Sequence, residues 1–326
     1  MKKGNGKFTI GMYAASIAVT FFVFLLCVRA GSVDVPLREL FNSPIIMSIR
    51  VPRVICVALS GAALSVCGAS MQGLLKNPLA DGSTLGVSSG AALGAVTAIA
   101  FGINFPGVPF AGTMILAAAA AFLSLLLILT LSYKLDHTLS TNTIILMGVI
   151  YSMFASSIMN IIITFASDRI RSIMFWTMGS LQGSGYADAA VLFAALLICG
   201  TVLLLHSNEL NAFAVGEDNA SHIGVDVKKV KLTILITVSV LIGVCVSIGG
   251  TIGFVGLVTP HMVRIVVGPN HKRLLPISMF AGACFLMISD LIARTLLNPK
   301  ELPIGVVTSI IGSLVFVYIY ARRKGK

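Results

Sequence analysis

The sequence predicts an all-α, polytopic membrane protein with about ten transmembrane helices. Of its 326 residues, 57% are hydrophobic and 11% charged, too apolar a balance for a surface that faces water everywhere. From Gly82 to Tyr133 there is no charged residue at all. A lipid crossing takes ~20 residues, so that run must turn near its middle, and "FGINFPGVP" (Phe101 to Pro109) supplies the turn.

Taken in order, the first span covers 8–28, behind Lys2, Lys3 and Lys7. It reads as a span and not as a signal peptide, because its uncharged run exceeds a usual signal core and no small-residue cleavage site follows. The second span, 54–75, carries the small-residue face "SGAALSVCGAS". Next comes "KNPLADG", where Pro78 pushes Asn77 out of helical geometry and Asp81 suits the N-cap of the third span, 82–101. Gly82, Gly86, Gly90 and Gly94 are spaced four apart, a spacing that lets two helix backbones approach closely in lipid. The fourth and fifth spans cover 111–133 and 141–166, with Trp176 placed just beyond as an interfacial anchor. The remaining spans are 187–206, 232–250, 252–268, 274–297 and 303–320, the eighth interrupted by Pro260, His261 and Arg264.

Ten spans put both termini on one side. Of the 23 Lys and Arg, 15 then fall on the terminal side and 8 on the other, so the positive-inside rule places both ends in the cytoplasm. The net charge of +11 is spread over loops and forms no nucleic-acid-binding face. Six cysteines, all inside apolar spans and without a CxxC pair, read as small core residues with no metal role.

One loop stands apart. "HSNELNAFAVGEDNASHIGVDVKKVK" (206–231) is far longer than a span connection requires, and it suits two short helices joined by a turn at Gly216 to Asn219. It reads either as a solvated linker or as a docking element for a soluble partner. On either side, "QGLLKNPLADG" after span two and "SIGGTIGFVGLVTPH" after span seven both combine clustered Gly with a Pro near a span end. If spans two to five and seven to ten are copies, the single span between them makes the copies run in opposite directions, as inverted repeats do in transporters. No GxxxxGK[ST] phosphate loop occurs in the chain, so ATP-driven transport would need another subunit to bind the nucleotide.

Five blocks carry a family resemblance: 50–95, "FWTMGSLQG" (175–183), "GTIGFVGLVTPHMVRIVVGPNHKRLLP" (250–276), "SDLIARTL" (289–296) and "ELPIGVVTSIIGSLVFVYI" (301–319). Together they resemble the FecCD-type permeases of ABC importers for iron-siderophore complexes, haem and cobalamin. The resemblance implies a type II importer permease fold, a single transmembrane permease domain over 1–326, in the cytoplasmic membrane of a prokaryote. It also implies a second permease subunit, the same or paralogous, two ATPase subunits and an extracytoplasmic substrate-binding protein. The chain itself would then catalyse nothing and bind no cofactor, the ATP being held by the partner ATPase.

By the same resemblance, 207–231 is the ATPase-coupling segment, through Val215, Gly216, Glu217, Asp218, Ala220, His222, Ile223, Gly224 and Val225. Arg50, Arg53 and Arg294 would meet acidic residues of the binding protein; snorkelling to headgroups or capping explains them as well. Spans five and ten would line the path, with an inner gate at Thr141 and Asn142, which also suit helix capping, and with Thr308, Ser309 and Ser313 on span ten. The expected cargo is a ferric siderophore, with haem or cobalamin the alternative.

Two other classes compete. An ion-coupled secondary transporter needs acids at depth, and Asp290, four residues before Arg294, is better read as half of an intrahelical ion pair. An intramembrane hydrolase built from His261, Ser289 and Asp290 would need groups assigned to different depths to meet.

Overall fold

The computed structural model describes residues 5–31, 43–82, 85–103 and 111–324, with side chains at 11–31, 43–82, 85–103, 111–318 and 321. Lys2, Lys3, Arg38 and Lys326, counted for orientation, and positions 104–109 of the expected turn lie outside the described residues.

Thirteen α-helices and no strand occur among the described residues. They are α1 (Asn5–Arg29), α2 (Val51–Leu74), α3 (Val87–Phe101), α4 (Ala111–Leu135), α5 (Thr141–Phe165), α6 (Ile170–Thr177), α7 (Tyr186–Leu205), α8 (Ser207–Val215), α9 (Glu217–His222), α10 (Val227–Gly249), α11 (Val255–Val267), α12 (His271–Thr295) and α13 (Ile304–Lys324). A π-helical turn, Ile46–Arg50, leads into α2. Seven helices are long and apolar enough to cross a membrane, namely α1, α2, α4, α5, α7, α10 and α12, while α3, α11 and α13 are shorter apolar helices. These ten coincide with the ten expected spans.

The bundle is organised around α2, which is buried along nearly its whole length and packs on α12, α11, α7 and α10. Small residues make this possible. A Cβ on Gly68 would fall inside the shell of the Gly256 carbonyl, and one on Gly61 would collide with the Gly282 backbone, so α2 meets α11 and α12 backbone to backbone. Pro260 inside α11 cannot donate to the Gly256 carbonyl four residues earlier. Buried Gln72 on α2 repairs the loss, its Nε2 donating to the carbonyls of Gly256 (3.3 Å) and Leu257 (3.1 Å). Such an interhelical bond contributes about 0.6 kcal/mol on average in a membrane. Pro276 in α12 frees the Lys272 carbonyl in the same way, and the Tyr13 hydroxyl of α1 reaches it at 3.4 Å.

The third span requires correction. α3 begins at Val87, so only Gly90 and Gly94 lie on it, packed against Leu116, Ala120 and Ser124 of α4. Gly82 and Gly86 precede the helix: Gly82 faces Ile242 of α10, and Gly86 is the N-cap with φ of 72°, a left-handed geometry that favours glycine. The cap is therefore not Asp81. Four-residue spacing marked a helix face, but Pro78 and the left-handed residue hold the first two glycines in a non-helical approach to α3.

The two halves of the bundle match. Pairing α2 to α5 with α10 to α13 makes each packing pair in one half correspond to one in the other: α2 on α12 with α10 on α4, α3 on α4 with α11 on α12, and α2 on α11 with α10 on α3. Both short helices are also entered through a left-handed residue, Gly86 before α3 and Phe254, with φ of 68°, before α11. With α7 the single spanning helix between the sets, the copies run in opposite directions. Both helices start against one cleft lined by Leu64, Asp81, Gly82, Ser88, Ile242, Val246 and Thr251 to Phe254, with about 510 Å³ of space counting its open mouth.

Candidate functional site

Two features concentrate polar chemistry: the α8–α9 end of the bundle and the exposed length of α5. α8 and α9 are joined at Gly216 and seated by Leu210, Phe213 and Ala220, all fully buried. What they leave outward is apolar with a polar border. Val215 is 72% and Ile223 73% exposed, and Asp218, His222 and Gly224 lie beside them on the surface, with Gly216 and Val225 half-buried. Large apolar side chains bared at the polar end of a membrane bundle mark an interaction surface.

Glu217 sits differently from its neighbours. Its carboxylate accepts from Nζ of Lys231 at 2.9 and 3.1 Å and from the Thr141 hydroxyl at 3.3 Å. Lys231, on α10, is 1% exposed, and its ammonium also donates to the Leu139 carbonyl at 2.9 Å. Leu139 itself is buried with φ of 52°, an uncommon geometry for a branched residue. The α4–α5 loop that holds it is tied by Asp136, whose carboxylate accepts from the Thr138 hydroxyl (2.6 Å) and amide (2.9 Å) and from the Ser140 amide (3.0 Å). The Thr138 and Ser140 hydrogen bonds hold this carboxyl well below the usual carboxylate range. Ser140 then caps α5 by accepting from the Thr143 amide, so the capping role considered for Thr141 and Asn142 belongs to Ser140. Thr141 is half-buried against Glu217, and Asn142 is exposed.

Only Ile144, Gly148 and Ala155 of α5 are buried. Its exposed face carries Leu146, Val149, Met153, Ile161 and Phe165 with Asn142, Ser156, Ser157, Asn160 and Thr164. An amide such as Asn160 bared to hydrocarbon is costly, so this face suits protein or water better than lipid. On α13, Ser313 is exposed among Ile310, Leu314 and Val317, and Ser309 is half-buried. Thr308 is fully buried, its hydroxyl donating to the Gly305 carbonyl at 3.1 Å.

The family model of the FecCD transport family matches residues 19–322. The chain belongs to the FecCD transport family. As a FecCD chain it is 40% identical to the uncharacterized ABC transporter permease protein YvrB of Bacillus subtilis (strain 168), over 95% of this chain and 94% of that one. It is 38% identical to the cobalamin import system permease protein BtuC of Halobacterium salinarum, over 86% of this chain and 74% of that one. A solved structure assigned to the metal-chelate type of ABC transporter, in an inward-facing conformation, superposes with a TM-score of 0.87 at 30% identity, covering 97% of this chain and 99% of that one. This FecCD chain is thus a multi-pass permease subunit of a type II ABC importer for a siderophore, haem or vitamin B12.

At the far end of this FecCD permease, the three arginines expected to meet a binding protein lie enclosed. Arg50, Arg53 and Arg294 are 5%, 8% and 3% exposed, enclosed where docking groups would be presented. Arg53 bonds Asp290 with Nη2 at 2.8 Å and Nε at 3.1 Å, and Glu301 with Nη1 at 2.9 Å. The Nε of Arg294 lies 3.4 Å from Asp290, an electrostatic contact without hydrogen-bond geometry, while its Nη2 donates to the Cys27 carbonyl. Arg50 donates to the Arg29 carbonyl at 2.9 Å. The helical i, i+4 pair is present, but the nearer partner of Asp290 comes from α2. The Ser289 hydroxyl donates to the Phe285 carbonyl, and the His261 ring lies 6.0 Å from that of Phe316, tilted by 50°.

Sequence reasoning missed the burial of Lys231, the internal role of Glu217 and the part of Glu301. Each depends on partners distant in the chain, and only the apolar residues flanking Lys231 hinted at enclosure.

Proposed function

We propose that the chain forms one half of a membrane conduit, side by side with a second permease subunit, and imports an intact metal chelate. Its driving force comes from ATP hydrolysed by two partner ATPases that grip α8 and α9, and its cargo from a binding protein at the opposite end. The α8–α9 end, with both termini, faces the cytoplasm on this reading. The observation that carries it is the α8–α9 surface, where Val215 and Ile223 stand bare on a base fixed by Leu210, Phe213 and Ala220. A surface so seated transmits displacement and does not absorb it. The exposed polar stripe of α5 supports a second permease and a wet path between the copies. A mostly aliphatic wall with scattered hydroxyls suits a bulky ligand that has to be released.

A ferric siderophore is the first cargo to test. A corrinoid is the second reading, favoured by the identity with the Halobacterium salinarum cobalamin permease. The test is uptake into liposomes holding the purified complex, with ATP inside and binding protein outside, using radiolabelled ferric siderophore and radiolabelled cyanocobalamin in parallel. ATP-dependent accumulation of one and not the other assigns the cargo. Uptake driven by a proton gradient without the ATPase overturns the reading.

A further inference from the structure

We infer that Lys231 and Glu217 form a positioning joint that makes the entry of α5 follow any movement of α9. The joint rests on the reading of α8–α9 as the surface that the ATPase grips.

Three separate elements converge on one ammonium. Lys231 lies in the second turn of α10, Glu217 is the first residue of α9, and Leu139 ends the loop that enters α5. An ammonium has three donors. Lys231 contacts the Leu139 carbonyl at 2.9 Å and both Glu217 oxygens at 2.9 and 3.1 Å, so it is fully engaged inside the chain. The Thr141 hydroxyl closes the ring by donating to Glu217. At 1% exposure Lys231 has no water to replace a lost partner, and breaking one contact would leave a buried charge uncompensated. Motion that separates α9, the α5 entry and the start of α10 from one another is therefore strongly resisted, whereas motion of the three together breaks none of these contacts.

The surroundings favour joint movement. Asp136 and Ser140 stiffen the loop between α4 and α5, and most of α5 beyond its first turn is exposed. Asn142, one residue past the joint, is exposed where α5 begins, so a displacement of α9 is delivered directly to the first turn of α5. Glu217 thus acts through Lys231 and Thr141, while Asp218 and Ile223 beside it are exposed for the ATPase on this reading.

The test uses the complete reconstituted complex and reads uptake per ATP hydrolysed. Lys231→Met removes the ammonium, Glu217→Gln keeps the shape but weakens the pair, and the exchange Lys231→Glu with Glu217→Lys restores opposite charges. Both single variants are expected to retain the ATPase in full on co-purification while uptake per ATP falls about tenfold. The exchange should recover about half of the loss. A parental ratio in both single variants, or a loss matched by lost ATPase binding, overturns the inference. Should Lys231→Met yield no protein, Glu217→Gln and Thr141→Val, which leave Lys231 on the Leu139 carbonyl, decide by the same ratio. An ATPase that never co-purifies with the parent chain defeats the functional reading itself and takes the joint down with it.

Discussion

Replacing Asp290 with Asn strips the charge from the centre of the arginine cluster at the end of the bundle opposite α8 and α9. The carboxylate meets Arg53 at 2.8 and 3.1 Å and Arg294 at 3.4 Å, and all three side chains are at least nine-tenths buried. Removing one partner of a buried ion pair costs about 3–5 kcal/mol, because the remaining charge stays enclosed. Arg53 keeps Glu301 at 2.9 Å and Arg294 keeps the Cys27 carbonyl, so the lower end applies, about 3 kcal/mol. For a chain of this size that lowers the thermal midpoint by about 5 °C, measured on purified protein in detergent. Arg294→Met supplies the control. If Asp290 compensates Arg294, the double variant is less destabilised than the sum of the singles by about 1 kcal/mol. A midpoint for Asp290→Asn within about 1 °C of the parent, or strict additivity in the double variant, would refute the account of Asp290 as the shared counter-charge.

Gly90→Leu should collapse detergent-stable yield, since even its Cβ would stand 2.5 Å from that of Ser124 and 2.9 Å from the Ala120 carbonyl, forcing α3 off α4; normal yield would show that the contact gives way. Val215→Asp with Ile223→Asp should abolish ATPase co-purification while leaving the melting midpoint in place, since both side chains are more than 70% exposed; undiminished binding would move the gripping surface elsewhere. Asp136→Asn should loosen the α4–α5 loop at pH 7. The folded-state carboxyl titrates below its ordinary value of 3.8, so the parent's advantage is complete above that pH and disappears as acidification passes through the lowered value. Hydrogen exchange of the loop amides from pH 7 down to 4, above that window, should show a constant difference between variant and parent, and a difference that widened on acidification would reverse the assigned sign.

The helices were legible because lipid imposes a length and a polarity that the chain cannot avoid: α4 and α7 stand within a few residues of their expected bounds. Failures cluster where the backbone departs from helix inside the membrane. The start of α3 was misread because four-residue glycine spacing is the same signal whether the glycines lie on a helix or in the chain approaching it. α6 escaped because its eight residues are too few for a span. Charged residues were assigned by sequence position to loops and headgroups, yet Arg53 meets Asp290 across 237 positions and Lys231 meets Leu139 across 92. Local periodicity carries no information about such partners. The two short helices about Gly216, by contrast, were visible, because a polar stretch of that length exceeds what a connection between spans needs.

The inverted repeat links the two buried charge networks. Arg53 is the third residue of α2 and Lys231 the fifth of α10, the helices that correspond in the two halves. Each cation reaches the loop that precedes the last helix of a repeat. Arg53 binds Glu301, three residues before α13, and Lys231 binds the Leu139 carbonyl, two residues before α5. Because the copies run oppositely, one device holds the entry of α13 at one end of the bundle and the other holds the entry of α5 at the opposite end. Beyond those entries α13 and α5 expose most of their outer residues, Leu314 and Val317 on one, Met153 and Phe154 on the other. Helices pinned at their first turn and loosely packed beyond it can tilt about the pin without unfolding. On the proposed reading, alternating access through a path between two such helices requires that freedom, and placing the pins at opposite ends lets each entry be held or displaced independently of the other.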